Sequence, residues 1–94
     1  MKNITQEQIN TDLFRSLIYT FALTAKQQLG SIANPIIGHS EQDLEQVSLT
    51  LDMLIVLRTK TVGNLSEDET VYLNETIDTI QSALKESLVK PEKV

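Results

Sequence analysis

The stretch RTKTVGNLSEDE, residues 58–69, combines the signals for a helix end, a turn and a helix start. Gly63 is the residue type that most readily takes the left-handed conformation after a helix, and Asn64 suits the turn that follows. Ser66 and Glu69 form the S-x-x-E capping box, in which the two side chains accept hydrogen bonds from backbone amides of the first turn. The stretch therefore predicts that one helix ends at Gly63 and that another begins after Ser66.

The same stretch raises phosphate binding as an alternative, because a Lys60-Thr61 pair lies close to a glycine. A P-loop has the order G-x-x-x-x-G-K-[ST] and lies between a strand and a helix, so that glycine amides surround the phosphates. Here the lysine precedes Gly63, and no glycine stands at the required position upstream. The acids at 67–69 suit the positive end of a helix dipole. We therefore predict a turn between two helices, with no phosphate or metal site.

Glycines and prolines divide the chain into three segments, and each segment repeats its apolar residues at helical spacing. None alternates in the manner of a β-strand. We predict helices over residues 12–29, 41–61 and 67–89, with frayed termini, in a single helical domain over residues 1–94. The predicted fold class is all-α, an antiparallel three-helix bundle that dimerisation completes.

The predicted boundaries of the first two helices depend on polar residues that accept amide hydrogen bonds. Asn10 or Thr11 is expected to cap the first helix, and Gly30 to end it. Ser40, with Asp43 three residues later, is a variant of the capping box and is expected to open the second helix.

The connection GSIANPIIGHS, residues 30–40, is predicted to be an ordered loop. Pro35 disfavours the helical conformation at Asn34, and Gly38 permits a sharp turn. Asn34, Pro35 and Gly38 are therefore predicted to have structural roles, as are Gly63, Asn64, Ser66 and Glu69.

The predicted helices carry more apolar surface than three helices can hide from one another. The first has one broad apolar face, expected to be buried, and the third has a narrow apolar stripe. The second has two apolar arcs, which helices one and three could cover between them, or which a second subunit could cover in part. The inner arc contains Leu44, Val47, Leu51, Leu54 and Ile55, and the broad face of the first helix contains Leu13, Phe14, Leu17, Ile18, Phe21, Ala22, Ala25 and Leu29.

The other arc of the second helix, the outer arc, contains Leu49, Met53, Val56 and Leu57. Self-association about a two-fold axis is the simplest way to cover it, because one patch then covers its own copy. We expect a homodimer. The predicted interface residues are Tyr19, Leu23, Leu49, Met53, Val56 and Leu57.

The amino-acid composition argues against nucleic acid and membranes as partners and indicates a compartment for the protein. Thirteen acids against eight bases give a net charge of −5, so the field around the protein repels nucleic acid. The longest uncharged apolar-rich run, residues 16–25, is half of what a membrane span needs. The chain has no cysteine and begins with no export signal, which favours the reducing cytoplasm.

Three polar residues are candidates for chemistry, and each has a simpler structural interpretation. His39 forms H-x-E-x-D-x-E with the acids that follow, a spacing that scatters side chains around a helix and does not converge them on a metal. Asp52 lies on a polar strip and is expected to be exposed or at the edge of an interface. Arg58 lies in an apolar arc, where a salt bridge is the simpler expectation and a grip on an acidic partner the alternative. We predict no catalytic residue, no metal, no cofactor and no enzymatic activity.

Several motifs together resemble one protein family. They are LG at residue 29, NPIIG at 34, DLEQ at 43 and LDMLIVLRTKTVGNLSEDE at 51, followed by the heptad-like tail. This combination, over residues 14–88, is similar to the small bacterial domain of unknown function DUF1844. The chain departs from the E-E that closes the family's turn motif, because Asp68 replaces the first acid. The resemblance implies a compact helical bacterial protein and carries over no activity.

Two functional hypotheses remain. The first is a cytoplasmic, homodimeric interaction module with an unidentified protein partner. The alternative is a small-ligand or metal-responsive regulatory protein that uses the Asn34–Asp43 loop, with Arg58, as a polar site. A thermal shift with a metal, nucleotide or metabolite would favour the alternative, since a ligand of the folded state raises its midpoint.

Overall fold

The computed structural model of the protein describes residues 5–32, 36, 38 and 41–89. They form α1 (Gln6–Leu29), α2 (Leu44–Lys60) and α3 (Glu67–Val89), and each helix packs against the other two. Within the described residues there is no β-strand. The prediction of an all-α, three-helix architecture is confirmed.

The helices run up, down and up. α2 lies antiparallel to its neighbours, because the Asp43 backbone amide at its start bonds to the Gln28 backbone carbonyl at the end of α1, and Arg58 near its end bonds to Asn74 in the first half of α3. α1 and α3 are therefore parallel. Near the starts of α1 and α3, the side chain of Thr11 lies close enough to Glu69 to help lower the pKa of that carboxyl, and Arg15 lies 4.9 Å from the centre of the Tyr72 ring one turn further along both helices.

α1 begins at Gln6, so the predicted start at residue 12 is wrong. Its cap is Thr5, not Asn10 or Thr11. The Thr5 hydroxyl accepts a hydrogen bond from the backbone amide of Gln8 at 3.1 Å. The side-chain Oε1 of Gln8 accepts one from the backbone amide of Thr5 at 3.2 Å. This capping box satisfies two amides that would otherwise lack partners and extends the helix beyond its apolar face. α1 ends at Leu29, and Gly30 caps it with φ of 82°, as predicted.

α2 begins at Leu44 and is capped by Asp43, so the predicted opening at residue 41 is also wrong. The Asp43 carboxylate accepts a hydrogen bond from the backbone amide of Gln46 at 3.2 Å. The backbone amide of Asp43 donates to the backbone carbonyl of Gln28 at 2.7 Å. Asp43 therefore starts α2 and ties it to the end of α1. Ser40, the predicted cap, lies outside the described residues, as do Asn34 and Pro35, while Gly38 is exposed with φ of 80°.

α2 ends at Lys60, one residue before the predicted end at residue 61. Thr61 is the cap residue, and its amide donates to the carbonyls of Leu57 and Arg58. Gly63 follows within the turn with φ of 85°, and the Asn64 amide donates back to the Thr61 carbonyl at 2.9 Å. Gly63 therefore supplies the left-handed turn but does not itself cap α2.

The α3 capping box has the predicted partners. The Ser66 amide donates to Glu69 Oε1 at 2.7 Å, and the Glu69 amide donates to Ser66 Oγ at 3.2 Å. Glu69 is buried, with 8% of its surface exposed. The backbone hydrogen bond from Ser66 lowers the pKa of Glu69 below its ordinary value against the opposing effect of burial, and side-chain bonds with Thr11 and Ser66 add to the lowering.

One hydrophobic core lies along the shared axis of the helices. Its members come from the predicted inner faces: Ile18, Ala25, Val47, Leu51, Leu54, Leu73, Ile77 and Ile80. Leu13 and Leu17, predicted to be buried in the broad face of α1, are exposed at 64% and 45%. They lie at the edge of that face, beyond the arc that the other two helices cover.

Candidate functional site

A surface formed by α1 and α2 is the first candidate site. A hydrogen bond from Thr50 Oγ1 to Gln28 Oε1 at 2.8 Å marks the line along which these two helices meet. Met53 follows Thr50 by three residues and Leu17 precedes Gln28 by eleven, and both spacings return to the same side of a helix. The two rows of side chains therefore point outward on the same side of the bundle.

We call this surface the α1–α2 face; its apolar members are Leu13, Leu17, Leu49, Met53 and Val56, all exposed. Met53 is 47% exposed and Val56 is 55% exposed. Between the leucines and the end of α1, the same row continues with Thr20 and Thr24, so the centre of the face contains no charged side chain. Contiguous exposed apolar side chains on a small protein mark an interaction surface more often than scattered ones do.

The six predicted interface residues do not all lie together. Leu49, Met53 and Val56 share the α1–α2 face, whereas Leu57 is partly buried against the core and Leu23 is partly buried on α1. Tyr19 lies elsewhere: it lines a groove between α1 and α3. The α1 residues that lie beside α2 on this face are Leu13 and Leu17, not Tyr19. Their i, i+4 spacing was visible in the sequence, but a single-helix pattern does not show which neighbour each edge meets.

The groove between α1 and α3 is the second candidate site, with a volume of about 460 Å³. Ala22 and Leu29 of α1, with Ile80 and Ala83 of α3, give it an apolar lining. The remaining lining residues are Tyr19, Lys26, Ser31, Tyr72, Glu75, Thr76 and Thr79. A concave apolar site with a few polar side chains is the usual form of a binding site.

A smaller pocket of about 260 Å³ lies at the α2–α3 turn and includes Arg58, Gly63 and Asn74. Arg58 Nη1 donates to Asn74 Oδ1 at 3.0 Å, so the expected salt bridge is replaced by a bond to an amide across the two helices. Arg58 lies fifteen residues after Asp43 on α2, which separates the two by about 22 Å along the helix. Arg58 therefore lies far from Asp43, the last residue of the Asn34–Asp43 loop, whereas Asn34 and Pro35 lie outside the described residues.

The remaining polar candidates are isolated. Asp52 is exposed, as predicted, and His39 lies outside the described residues. Among residues 5–32, 36, 38 and 41–89, no three His, Asp or Glu side chains are grouped so that they could hold a metal ion. In that same part of the chain, none of the helices combines the length and apolar character that crossing a membrane requires.

Comparison with known proteins places the chain in one family. It belongs to the family described as Domain of unknown function (DUF1844), whose profile matches residues 11–86. The match spans all of α2 and most of α1 and α3, including both candidate surfaces. Neither a curated protein nor a solved structure matches the chain.

Proposed function

We propose that this protein is a homodimeric protein–protein interaction module of the cytoplasm, without catalytic activity, and that two copies associate through the α1–α2 face. The observation that carries the proposal is the exposed, uncharged apolar row of Leu49, Met53 and Val56 beside Leu13 and Leu17. Interfaces between protein chains have an apolar centre that is depleted of charge, with a polar rim.

The absence of charge at the centre of this face suits a second copy of the chain as its occupant. The chain carries a net charge of −5, so any two copies repel each other over long distances. In a two-fold contact each patch meets itself, and a charge near the axis would oppose its own sign. An uncharged face avoids that penalty. On α2 the row ends at Lys60, whose charge lies at the edge of the face, where water can solvate it.

Size gives a second reason for association. A chain of 94 residues buries a smaller fraction of its surface than a larger domain does, and it has no disulfide to compensate. A standard interface removes about 800 Å² from each partner, of which only the centre is strongly apolar. The five apolar side chains of the face would supply that centre, and their polar neighbours on α1 and α2 would supply the rim.

The cytoplasmic, non-catalytic part of the proposal is supported by composition. The absence of cysteine is typical of chains that do not depend on oxidative export. The chain has a single histidine, His39, and nucleophilic catalysis usually needs a base beside its nucleophile.

The absence of cysteine also makes a direct test possible, because an introduced cysteine is then the only thiol in the chain. We would make Leu49→Cys, Met53→Cys and Val56→Cys, with Val71→Cys on α3 as the control of similar exposure, 48%. A disulfide forms when two Cα atoms lie about 4.4–6.8 Å apart, a separation that residues near a two-fold axis satisfy.

On mild oxidation, we expect at least one of the α2 variants to form a covalent dimer faster than Val71→Cys at the same protein concentration. Equal rates at all four positions would reflect random collisions, and they would contradict association through this face. A crosslink through Val71→Cys alone would place the contact on α3.

A further inference from the structure

The pocket at the α2–α3 turn contains the side chain of Arg58, a cation that pairs with no carboxylate in the described part of the chain. Arg58 lies in the last turn of α2 and is half-buried. Its Nη1 donates to Asn74 Oδ1 on α3 at 3.0 Å, and this bond holds the guanidinium across the two helices. A guanidinium carries several N–H donors, so most of them remain available to another acceptor.

The other polar side chains that line the pocket carry no negative charge. The hydroxyls of Thr61 and Thr70 donate their hydrogens to backbone carbonyls one turn earlier, at 2.8 and 2.9 Å. The Asn74 amide oxygen accepts from Arg58, which leaves the Asn74 NH2 group as a donor. Among the described lining residues there is no acid. The pocket therefore presents one positive charge with hydrogen-bond donors, and the complementary ligand is an anion.

The rest of the lining is apolar, and the pocket is small. Val62 and Leu65 of the turn and Leu73 of α3 form the apolar wall. The volume of about 260 Å³ lies below the range of about 300–1,000 Å³ that is usual for sites of drug-sized ligands. A protein interface covers about 800 Å² on each partner, whereas this site is concave and lined by a few residues. Its size therefore suits a small molecule with a short apolar body.

The ends of two helix dipoles meet at this pocket. The carboxyl end of α2 carries a partial negative charge, which stabilises the charge of Arg58. The amino end of α3, which includes Thr70, carries a partial positive charge. Because these partial charges have opposite signs and similar size, the full charge of the guanidinium determines the sign of the ligand.

We propose that the pocket at the α2–α3 turn binds a small organic monocarboxylate, whose carboxylate pairs with Arg58 and whose apolar body lies against Leu65 and Leu73. A guanidinium matches a carboxylate through two parallel N–H···O hydrogen bonds, which a neutral amide does not reproduce. None of the described lining residues belongs to the α1–α2 face, so the proposal holds whether or not the chain dimerises.

The probes are hexanoate, hexanamide and acetate, and their binding is followed by chemical-shift changes of the 15N-labelled protein. Hexanoate and hexanamide have the same apolar body and differ in charge, whereas hexanoate and acetate have the same charge and differ in their apolar body. We expect hexanoate to bind at least about tenfold more tightly than either, because each comparison removes one of the two kinds of contact.

The largest shifts should occur at the backbone amides of Val62, Gly63 and Leu73. Equal affinities for hexanoate and hexanamide, or for hexanoate and acetate, would overturn the proposal. Shifts centred on the α1–α3 groove, or no shift in the pocket at about 10 mM hexanoate, would also overturn it.

Two substitutions with the same change of charge test the role of Arg58. Arg58→Gln and Lys60→Gln each remove one positive charge near the end of α2, but of these two residues only Arg58 lines the pocket. The preference for hexanoate over hexanamide should be lost in Arg58→Gln and retained in Lys60→Gln. An equal loss in both variants would indicate a general effect of charge and would contradict the site.

Asn74→Asp separates loss of the site from loss of the fold. The substitution changes the size of the side chain little, and it places a carboxylate where Arg58 Nη1 already has its partner. The affinity for hexanoate should fall at least about tenfold, because the guanidinium charge is then neutralised within the protein. Circular dichroism should show an unchanged helical content. An Asn74→Asp variant that binds hexanoate as tightly as wild type would overturn the proposal, even if Arg58→Gln does not fold.

Discussion

The capping box that starts α3 allows the most quantitative prediction. Ser66 Oγ accepts the Glu69 amide at 3.2 Å, and Glu69 Oε1 accepts the Ser66 amide at 2.7 Å. We expect Ser66→Ala to lower the free energy of unfolding by about 0.5–2 kcal/mol, because a first-turn amide loses its acceptor. For a domain of this size, each kcal/mol corresponds to a fall of about 4–8 °C in the melting temperature.

The pH dependence of the free energy of unfolding distinguishes the contribution of the Glu69 carboxylate from those of its neighbours. The pKa of Glu69 is lowered in the folded state, so the folded protein binds this proton less tightly than the unfolded chain does. The resulting stabilisation is fully present above the unfolded pKa of about 4.3, and it is lost as the pH falls through the folded pKa. Glu69→Gln should therefore lower the free energy of unfolding at pH 7. The difference in this free energy between the variant and wild type should shrink toward pH 3.

The control for this measurement is Glu67→Gln, two residues before Glu69. Glu67 is exposed and lies in the same first turn, so it experiences the same helix dipole without the capping hydrogen bonds. Urea unfolding curves from pH 3 to pH 7, at one fixed protein concentration, give all the required free energies. If the Glu69→Gln difference were independent of pH, or equal to that of Glu67→Gln, the reasoning about the buried carboxylate would be refuted.

Two further predictions concern the turn and the absence of a metal site. Gly63→Val should destabilise the protein by about 1–2 kcal/mol through backbone strain alone, because φ is 85° and open space surrounds the missing Cβ; a midpoint equal to that of wild type would contradict the left-handed turn. His39→Ala and Asp52→Asn should leave the helical content unchanged, and elemental analysis of the purified protein should find no stoichiometric metal; zinc or iron lost in either variant would contradict this prediction.

Short-range signals in the sequence predicted the parts of the fold that depend on a few neighbouring residues. The start of α3 was predictable because Ser66 and Glu69 satisfy each other within one turn. The start of α1 was missed although Thr5 and Gln8 have the same relation, because Ile9 is the only large apolar residue between Gln6 and Asp12. An apolar stripe is the stronger signal, and it begins only at Leu13.

Contacts between helices were the part that the sequence could not supply. A helical wheel places Tyr19 on the flank of α1, but it does not show that this flank meets α3. The same limit applies to Arg58, whose bond to Asn74 joins residues sixteen apart on different helices. Directions and neighbours follow from the packing of all three helices, and they decide which exposed residues form one surface.

The mass of the protein in solution tests the central claim most directly. Val56→Glu and Val71→Glu make the same change at two valines of similar exposure, 55% and 48%, one on the α1–α2 face and one on α3. Burying an unpaired charge in an interface costs about 3 kcal/mol or more, which weakens association at least about a hundredfold. By light scattering at micromolar concentration, we predict twice the chain mass for wild type and Val71→Glu, and the single-chain mass for Val56→Glu. A wild type with the single-chain mass, or a Val56→Glu variant that stays dimeric, would contradict association through the α1–α2 face.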